Sequence, residues 1–425
     1  MSSAHMSSNE TSGLAAAKVD EARLWQRHMD MAKLGATPKG GVRRLALTDL
    51  DADARALLAR WGAERGFKSF IDPIGNFFVR REGTDPSLPP VMSGSHTDTQ
   101  PSGGRFDGIY GVLAAFEALE AIDDAGLKTK RAIEAAVWTC EEGGARFPLG
   151  TMGSSVFAGT NKLDEVLKMR DHDGITVAEA LKRTRARVPG AIDRPLGIKV
   201  ASFVEAHIEQ GPELEARGKT IGVVTTIQGS RRFVVEVTGE DGHAGTVSRA
   251  RRKDAMFAAT DMVQALRKHF MDEDDRIRFT VGRFVVEPNA MAVIPGKVTF
   301  TIDFRHPEEK VLIELGDGVE PLVQSLRGPC EVKVTQFMRS QPVPFSGLLP
   351  ELIQSAADRL GLSSMPILSG AGHDSIYLAK VCPTAMIFVP CEKGISHNEI
   401  ENATPFDLAS GARVLADVLV DLADR

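Results

Sequence analysis

Apolar and polar positions change rhythm several times along the chain. Between 47 and 66, Leu50, Leu57, Leu58 and Trp61 fall on one stripe at helical spacing, and Thr48 stands where a cap is needed. PIGN at 73–76 separates two Phe-rich runs and predicts a hairpin. A buried strand is expected to end at Ser93, followed by the glycine-rich stretch SGSHTDTQPSGGRFDG (93–108) and then a helix over 109–124. The pattern returns: 132–139 is apolar and β-prone, ends in CEEGG, and leads to a helical piece near Thr151. SFVEAHI (202–208) is a third strand candidate, followed by EQGP. Charged and polar residues thus recur just past strand ends, where open α/β sheets keep their ligands.

The texture alters from about Gln228. RRFVVEVTG alternates with period two, RRKDAMFAATDMVQALRKHF is helical, FTVGRFVV and KVTFTIDFR are strands, EEKVLIELGDGVEPLVQSL is helical, and CEVKVTQF is a last strand. This β-α-β-β-α-β order is one compact unit of the split βαβ kind, expected as an insertion over 227–340. The flanking parts, 15–226 and 341–425, then form one discontinuous domain. TAMIFVP is expected as a buried strand there, and 406–423 as a closing helix.

Composition narrows the partners. A chain of 425 residues exceeds one ordinary core, and 43% hydrophobic with 25% charged residues is globular in type. A formal charge of -6 with no long Lys/Arg block argues against nucleic acid, so a small solute is the expected partner. Cys140, Cys330, Cys382 and Cys391 form no CxxC pair and suggest neither a disulfide framework nor a zinc ribbon, which suits a reducing, cytoplasmic compartment. The opening MSSAHMSSNETSGLAAAK lacks a basic start and a long apolar core, so no secretory signal is expected, and part of it reads as a cloning remnant. No run approaches the ~18 apolar residues of a membrane span.

The candidate chemistry lies in the Gly/Ser turns and strand ends. His96, Asp107, Glu142, His207 and His397 offer three imidazoles and two carboxylates. Nitrogen and carboxylate oxygen ligands without thiolate suit Zn, Mn, Co or Ni. Only a carboxylate can bridge two ions, so five ligands with one bridge match a two-metal site. Asp98, two residues past His96, is placed to orient that imidazole from behind. Any one of these histidines alone is more often structural; the argument rests on their joint position after strands.

SGSHTDTQPSGGRFDG, TCEEGGARF, EAHIEQGP, GEDGHAGT, SGAGHDS and SHNE occur in the order and approximate spacing of the M20-type amidohydrolases, and from about Ala15 to the C-terminus the chain resembles that family. It comprises N-carbamoyl-L-amino acid hydrolases, β-ureidopropionases and allantoate amidohydrolases. The resemblance implies an α/β fold: a metallopeptidase-like mixed-sheet catalytic domain with the inserted α+β unit as lid and dimerisation domain. It implies two divalent ions, one held by His96, Asp107 and His207, the other by Asp107, Glu142 and His397, with Asp107 bridging and Glu141 as general base.

The resemblance also implies substrate contacts. His243 resembles a histidine brought to the neighbouring subunit's active site, although alone it reads as a loop histidine on an exposed turn. Arg305 in TIDFRHP resembles an arginine that receives the substrate carboxylate, although without the family a surface ion pair explains it. Gln210, Asn289 and His373 match further substrate contacts, and Gly370 and Gly372 permit close backbone approach.

HTDTQPSGGRFDG, with Gln100 and Pro101, is nearer the carbamoylase and ureidopropionase pattern than the allantoate one. The expected reaction is therefore cleavage of an N-carbamoyl-L-amino acid to the amino acid, carbon dioxide and ammonia, by a homodimer joined through the inserted domain. Two departures stand out: Cys140 where Asn is frequent, and EEGGARF with one glycine more than the usual EEGARF. The competing readings are allantoate or β-ureido substrates, an M20 peptidase or deacylase, and a non-catalytic metal or amino-acid binder. Peptidases generally carry a carboxylate where this chain has His207, and a binder would not need Glu141.

Overall fold

The computed structural model describes residues 13–425, so most of the N-terminal stretch read above lies outside the described residues. The chain divides into two compact units, Met1–Thr225 with Phe345–Arg425, and Thr226–Pro344.

The first unit is α/β, built on the larger part of a ten-stranded mixed sheet. Across its middle the strands run Ile221–Ile227, Thr384–Val389, Ser202–Ile208, Val91–His96, Ile133–Trp138, Phe77–Arg81 and Lys68–Ile71. The four from Thr384–Val389 to Ile133–Trp138 are parallel to one another and buried at every position. Such strands read as apolar runs because both faces are covered. On one face lie Ile109–Asp124, Pro405–Ala423 and Glu21–Ala32 within the main hydrophobic cluster. Phe78, Met92, Trp138, Phe157, Phe203 and Leu378 fill a smaller cluster.

Local chemistry explains the boundaries. Asp20, Thr48 and Thr404 accept backbone N–H bonds at the starts of their helices, and Pro405 fills the first turn of the last one. Ile109–Asp124 is buried nearly all round, so its Glu117 and Glu120 need partners and find Arg23, Arg27 and Arg65. PIGN turns the hairpin, with Ile71 opposite Phe77. The strand expected to stop at Ser93 continues to His96. Its small residues serve packing, not turning: a Cβ on Gly94 would lie 2.0 Å from the Ala136 carbonyl oxygen on the next strand.

The second unit carries an antiparallel sheet in which Lys297–His306 pairs with Gly229–Thr238, which pairs in turn with Glu331–Ser340. Helices Ala255–His269 and Glu309–Ser325 pack with its apolar face in a separate core. FTVGRFVV forms two short strands, Arg278–Thr280 and Phe284–Glu287, rather than one; both pair with Lys297–His306, and Gly282 lies between them. Among the described residues no helix is long and apolar enough to cross a membrane.

Candidate metal centre

The parallel strands end together. His96 closes its strand opposite Trp138, which leads into Cys140, Glu141 and Glu142, and His207 lies opposite Phe388 on the strand that leads towards His397. Asp107 sits just before helix Ile109–Asp124, whose start at Gly108 has no side-chain cap. Gly108 has φ 67°, and a Cβ there would lie 2.2 Å from the His96 ring, so only glycine lets this backbone pass so close.

Hydrogen bonds orient the imidazoles. His96 donates from Nδ1 to the Asp98 carbonyl oxygen at 2.8 Å, and His207 from Nδ1 to the Ile208 carbonyl oxygen at 2.8 Å. Both Nε2 atoms are thereby left as acceptors, the form in which imidazole binds metal. His207 Nε2 is 3.4 Å from Asp107 Oδ1, while His397 Nε2 is 3.2 Å from Asp107 Oδ2 and 3.6 Å from Glu142 Oε1. Asp107 thus turns one oxygen to each side. Ligand atoms of His96, Asp107 and His207 lie within 4.8 Å of one another, and so do those of Asp107, Glu142 and His397. A third group, Glu205, His207 and His373, is also close. Its carboxylate is already engaged by the Ser95 hydroxyl at 2.8 Å and by the Ser375 amide and hydroxyl at 3.0 and 2.7 Å.

Two observations test whether these residues fit metal ions. Glu142 accepts from Gln100 Nε2 at 2.6 Å through Oε2, but its Oε1 is buried without a hydrogen-bond partner. Such an orphan is costly unless a cation completes it. Charge balance agrees. Burial, reinforced by Asp107, pushes Glu142 up to about 7, and burial with the charges of Glu142, Asp374 and Asp98 holds Glu141 well above the carboxylate range. Burial opposes charge on His96 too, yet Glu141, Asp98, Asp107 and Glu142 raise it well above 6.5. The hydrogen bond to Asp107 lifts His397 to about 9. Burial opposes ionisation of Asp107, but the His397 hydrogen bond and His207 and His96 bring it down. Glu141, Glu142, His96 and His397 are thus all pushed towards their protonated forms, as surplus negative charge at the cluster requires, and divalent cations would neutralise that charge. The donor set fits.

Asp98 behaves differently from the expectation. Its carboxylate stays 3.9 Å from the imidazole, and its backbone carbonyl makes the contact. The carboxylate oxygens instead accept from the amides of Glu141 at 3.3 Å and Glu142 at 3.1 Å. Asp98 therefore fixes the Glu141–Glu142 turn, a task set by a distant loop. Glu141 Oε2 is 3.6 Å from His96 Nε2, at the edge of the cluster.

Gln210 donates to Asp107 Oδ1 and to Ser396 Oγ, both at 3.1 Å. His373 packs edge-on to His207, with ring centroids 4.5 Å apart, and its Nε2 meets Ser369 Oγ at 3.0 Å. Burial, with His207 beside it, keeps His373 neutral. A Cβ at Gly372 would make only an ordinary 3.5 Å contact, and one at Gly370 would meet nothing within 4 Å. Cys140, Gln210 and His397 all have left-handed backbone, with φ near 55°.

His243, Asn289 and Arg305 belong to the second unit. His243 is exposed on a short strand, and its Nδ1 accepts from the amides of Gly245 and Thr246 at 3.0 and 3.2 Å. That leaves an Nε2–H donor. Asn289 is exposed with φ 55°. Arg305 reaches both carboxylate oxygens of Asp303 at 3.3 Å.

Sequence reasoning missed Glu401 and the contact of Gln100 with Glu142. Glu401 is wholly buried and accepts from the amides of Phe106 and Asp107. Its one visible signal was position, four residues past His397 in SHNEIE.

The sequence model of peptidase family M20/M25/M40 matches residues 92–421, and the chain belongs to that family. Within it, the chain is 38% identical to an N-carbamoyl-L-amino-acid amidohydrolase of Rhizobium meliloti, over 96% of this chain and 97% of the relative. It is 35% identical to the allantoate amidohydrolase of Bacillus subtilis, over 92% and 95%. Its fold is similar to the crystal structure of an amidase of the hydantoinase/carbamoylase family from Burkholderia multivorans, with TM-score 0.90, 44% identity and coverage of 96% and 98%.

Proposed function

We propose that this M20 hydrolase cleaves the ureido carbon–nitrogen bond of N-carbamoyl-L-amino acids. The observation that carries the reading is the pair of ligand groups that share Asp107, with the further carboxylate of Glu141 beside them. His96, Asp107 and His207 would hold one divalent ion, and Asp107, Glu142 and His397 the other, the metal being Zn, Mn, Co or Ni. Ions bound there supply Lewis acidity towards a carbonyl oxygen and lower the pKa of water.

The chain supplies the rest. Glu141, as a carboxylate once cations neutralise the cluster, takes the proton of the attacking water and passes it to the departing nitrogen. One urea group and one water become the amino acid, carbon dioxide and ammonia, so atoms and protons balance. Asp98 keeps Glu141 in place through its amide. His373, held neutral, and Gln210 border the ureido group, with Gly372 leaving room for it. Arg305 receives the substrate carboxylate as a planar fork, Asn289 contacts the same end, and His243 offers its N–H to the developing oxyanion. The second unit serves as lid and homodimer contact in this reading, and four buried, unbridged cysteines support a cytoplasmic enzyme.

Allantoate is the second reading, supported by the Bacillus subtilis relative. The test is ammonia release from metal-loaded and chelator-treated protein, with N-carbamoyl-L-α-amino acids, N-carbamoyl-β-alanine, allantoate and dipeptides. Metal-dependent release from the first group supports the proposal. Release from allantoate alone selects the second reading, and dipeptide cleavage without ammonia rejects both.

A further inference from the structure

Among the five ligand candidates His397 is the exposed one. It lies outside any helix or strand, with φ 53° and its side chain 52% exposed. Asp107, its neighbour across the cluster, is on another loop far away in sequence. Something must hold these two loops in register if both are to meet one ion.

A closed ring of hydrogen bonds joins them. Glu401 Oε1 accepts from the amides of Phe106 at 2.9 Å and Asp107 at 3.0 Å. Its Oε2 accepts from Ser396 Oγ at 2.9 Å, on the residue beside His397. Gln210 completes the circuit by donating to Ser396 Oγ and to Asp107 Oδ1. The Glu401 carboxylate is fully buried, and a Cβ on Gly104 would come within 2.0 Å of Oε1, so the loop leaves room for this side chain. Arg105 adds an outer tie to Asn402 at 3.0 Å. A buried carboxylate beside another carboxylate is unfavourable, and it persists here with both oxygens bonded to the two loops that carry ligand candidates.

We propose that Glu401 is a positioning residue: it clamps the backbone of Asp107 to the loop of His397 and so sets the geometry in which Asp107, Glu142 and His397 take the second ion. The inference rests on the two-ion reading above. Glu401 touches neither ion nor substrate; its effect passes through the two loops.

The full chain, stripped of metal, is titrated with Co2+ by equilibrium dialysis, and the visible absorption of the bound ions is followed. Wild-type protein should take two ions. Glu401→Ala, with unchanged circular dichroism, should weaken the second ion by roughly 10- to 100-fold while the first shifts by less than about threefold. Glu401→Gln should restore most of that loss, because its carbonyl can accept both amides and its NH2 group can donate to Ser396 Oγ. Ser396→Ala removes both bonds of Ser396 Oγ, to Glu401 and from Gln210, and should weaken the second ion several-fold; it decides the matter if the alanine at 401 does not fold. Wild-type affinity for both ions in Glu401→Ala and Ser396→Ala overturns the proposal, as does equal weakening of the two ions. A wild-type protein that takes fewer than two ions refutes the two-ion reading itself.

Discussion

Strand Ser202–Ile208 is buried at all seven of its positions, whereas Lys297–His306 alternates half-buried and buried along all ten. The first lies in a sheet covered on both faces, the second in one covered on a single face. The difference decides what a polar residue means in each. Within Ser202–Ile208, Glu205 and His207 have no solvent to explain them, so each must be paired or functional. On the half-buried side of the other sheet Arg305 is unremarkable, and burial cannot separate a substrate contact from a surface ion pair.

The proposed function puts chemistry on the covered sheet and recognition on the open one, and variants can separate the two. The largest effect is expected for Glu141→Gln: kcat should fall roughly 100- to 10,000-fold with metal content unchanged, measured by steady-state kinetics and elemental analysis. Retained activity would remove chemistry from the covered sheet. Next comes Gly94→Ala, which forces a Cβ against the Ala136 carbonyl and should cost ~3 kcal/mol, the upper end of overpacking, in denaturant unfolding. Arg305→Lys should raise KM by about 10-fold or more, with kcat and bound metal nearly constant, because a charged bidentate contact is worth ~1.5–3 kcal/mol. Equal losses in KM and metal content would mean that Arg305 is structural.

A pH effect belongs to the covered unit. His28 is fully buried against Phe106 and Tyr110, neither ring nitrogen has a partner, and burial with nearby Arg105 lowers it to about 3. Only the unfolded chain then takes up its proton between pH 6.5 and 3, so this contribution is complete above 6.5 and is lost as pH falls. His28→Leu should flatten the unfolding free energy against pH by about 1.4 kcal/mol per unit in that window. An unchanged slope would place a proton on the folded His28. The smallest effect is Thr299→Ala, half-buried on the open sheet, which should stay within ~0.5 kcal/mol in the same denaturant assay.

Local signals were legible to the residue where one element sufficed. The helix at Ile109–Asp124 and the strand at Ser202–Ile208 fall where periodicity and apolar runs put them. Reading failed where a residue's partner was remote. Ser93, Gly94 and Ser95 look like a turn, but they are strand, and Gly94 is glycine because the Ala136 backbone approaches it. The ligand candidates could be picked out by type and position. The task of Asp98 could not, since its carboxylate is drawn to the amides of Glu141 and Glu142, 43 and 44 residues away. Glu401 reaches Phe106 and Asp107 across 295 and 294 residues, a pairing that no spacing rule encodes.

The left-handed backbone at Cys140, Gln210 and His397 has an evolutionary consequence. Each such residue with a side chain gives up about 1 kcal/mol that glycine would not. Selection for thermal stability alone would therefore favour glycine or asparagine at all three positions. At 140 the change removes a buried thiol with its contact to the Leu149 carbonyl oxygen, and leaves Glu141 and Glu142 their own side chains. At 210 and 397 the same relief deletes groups that face Asp107. Lineages under heat and lineages under demand for turnover should thus agree at 140 and part company at 210 and 397.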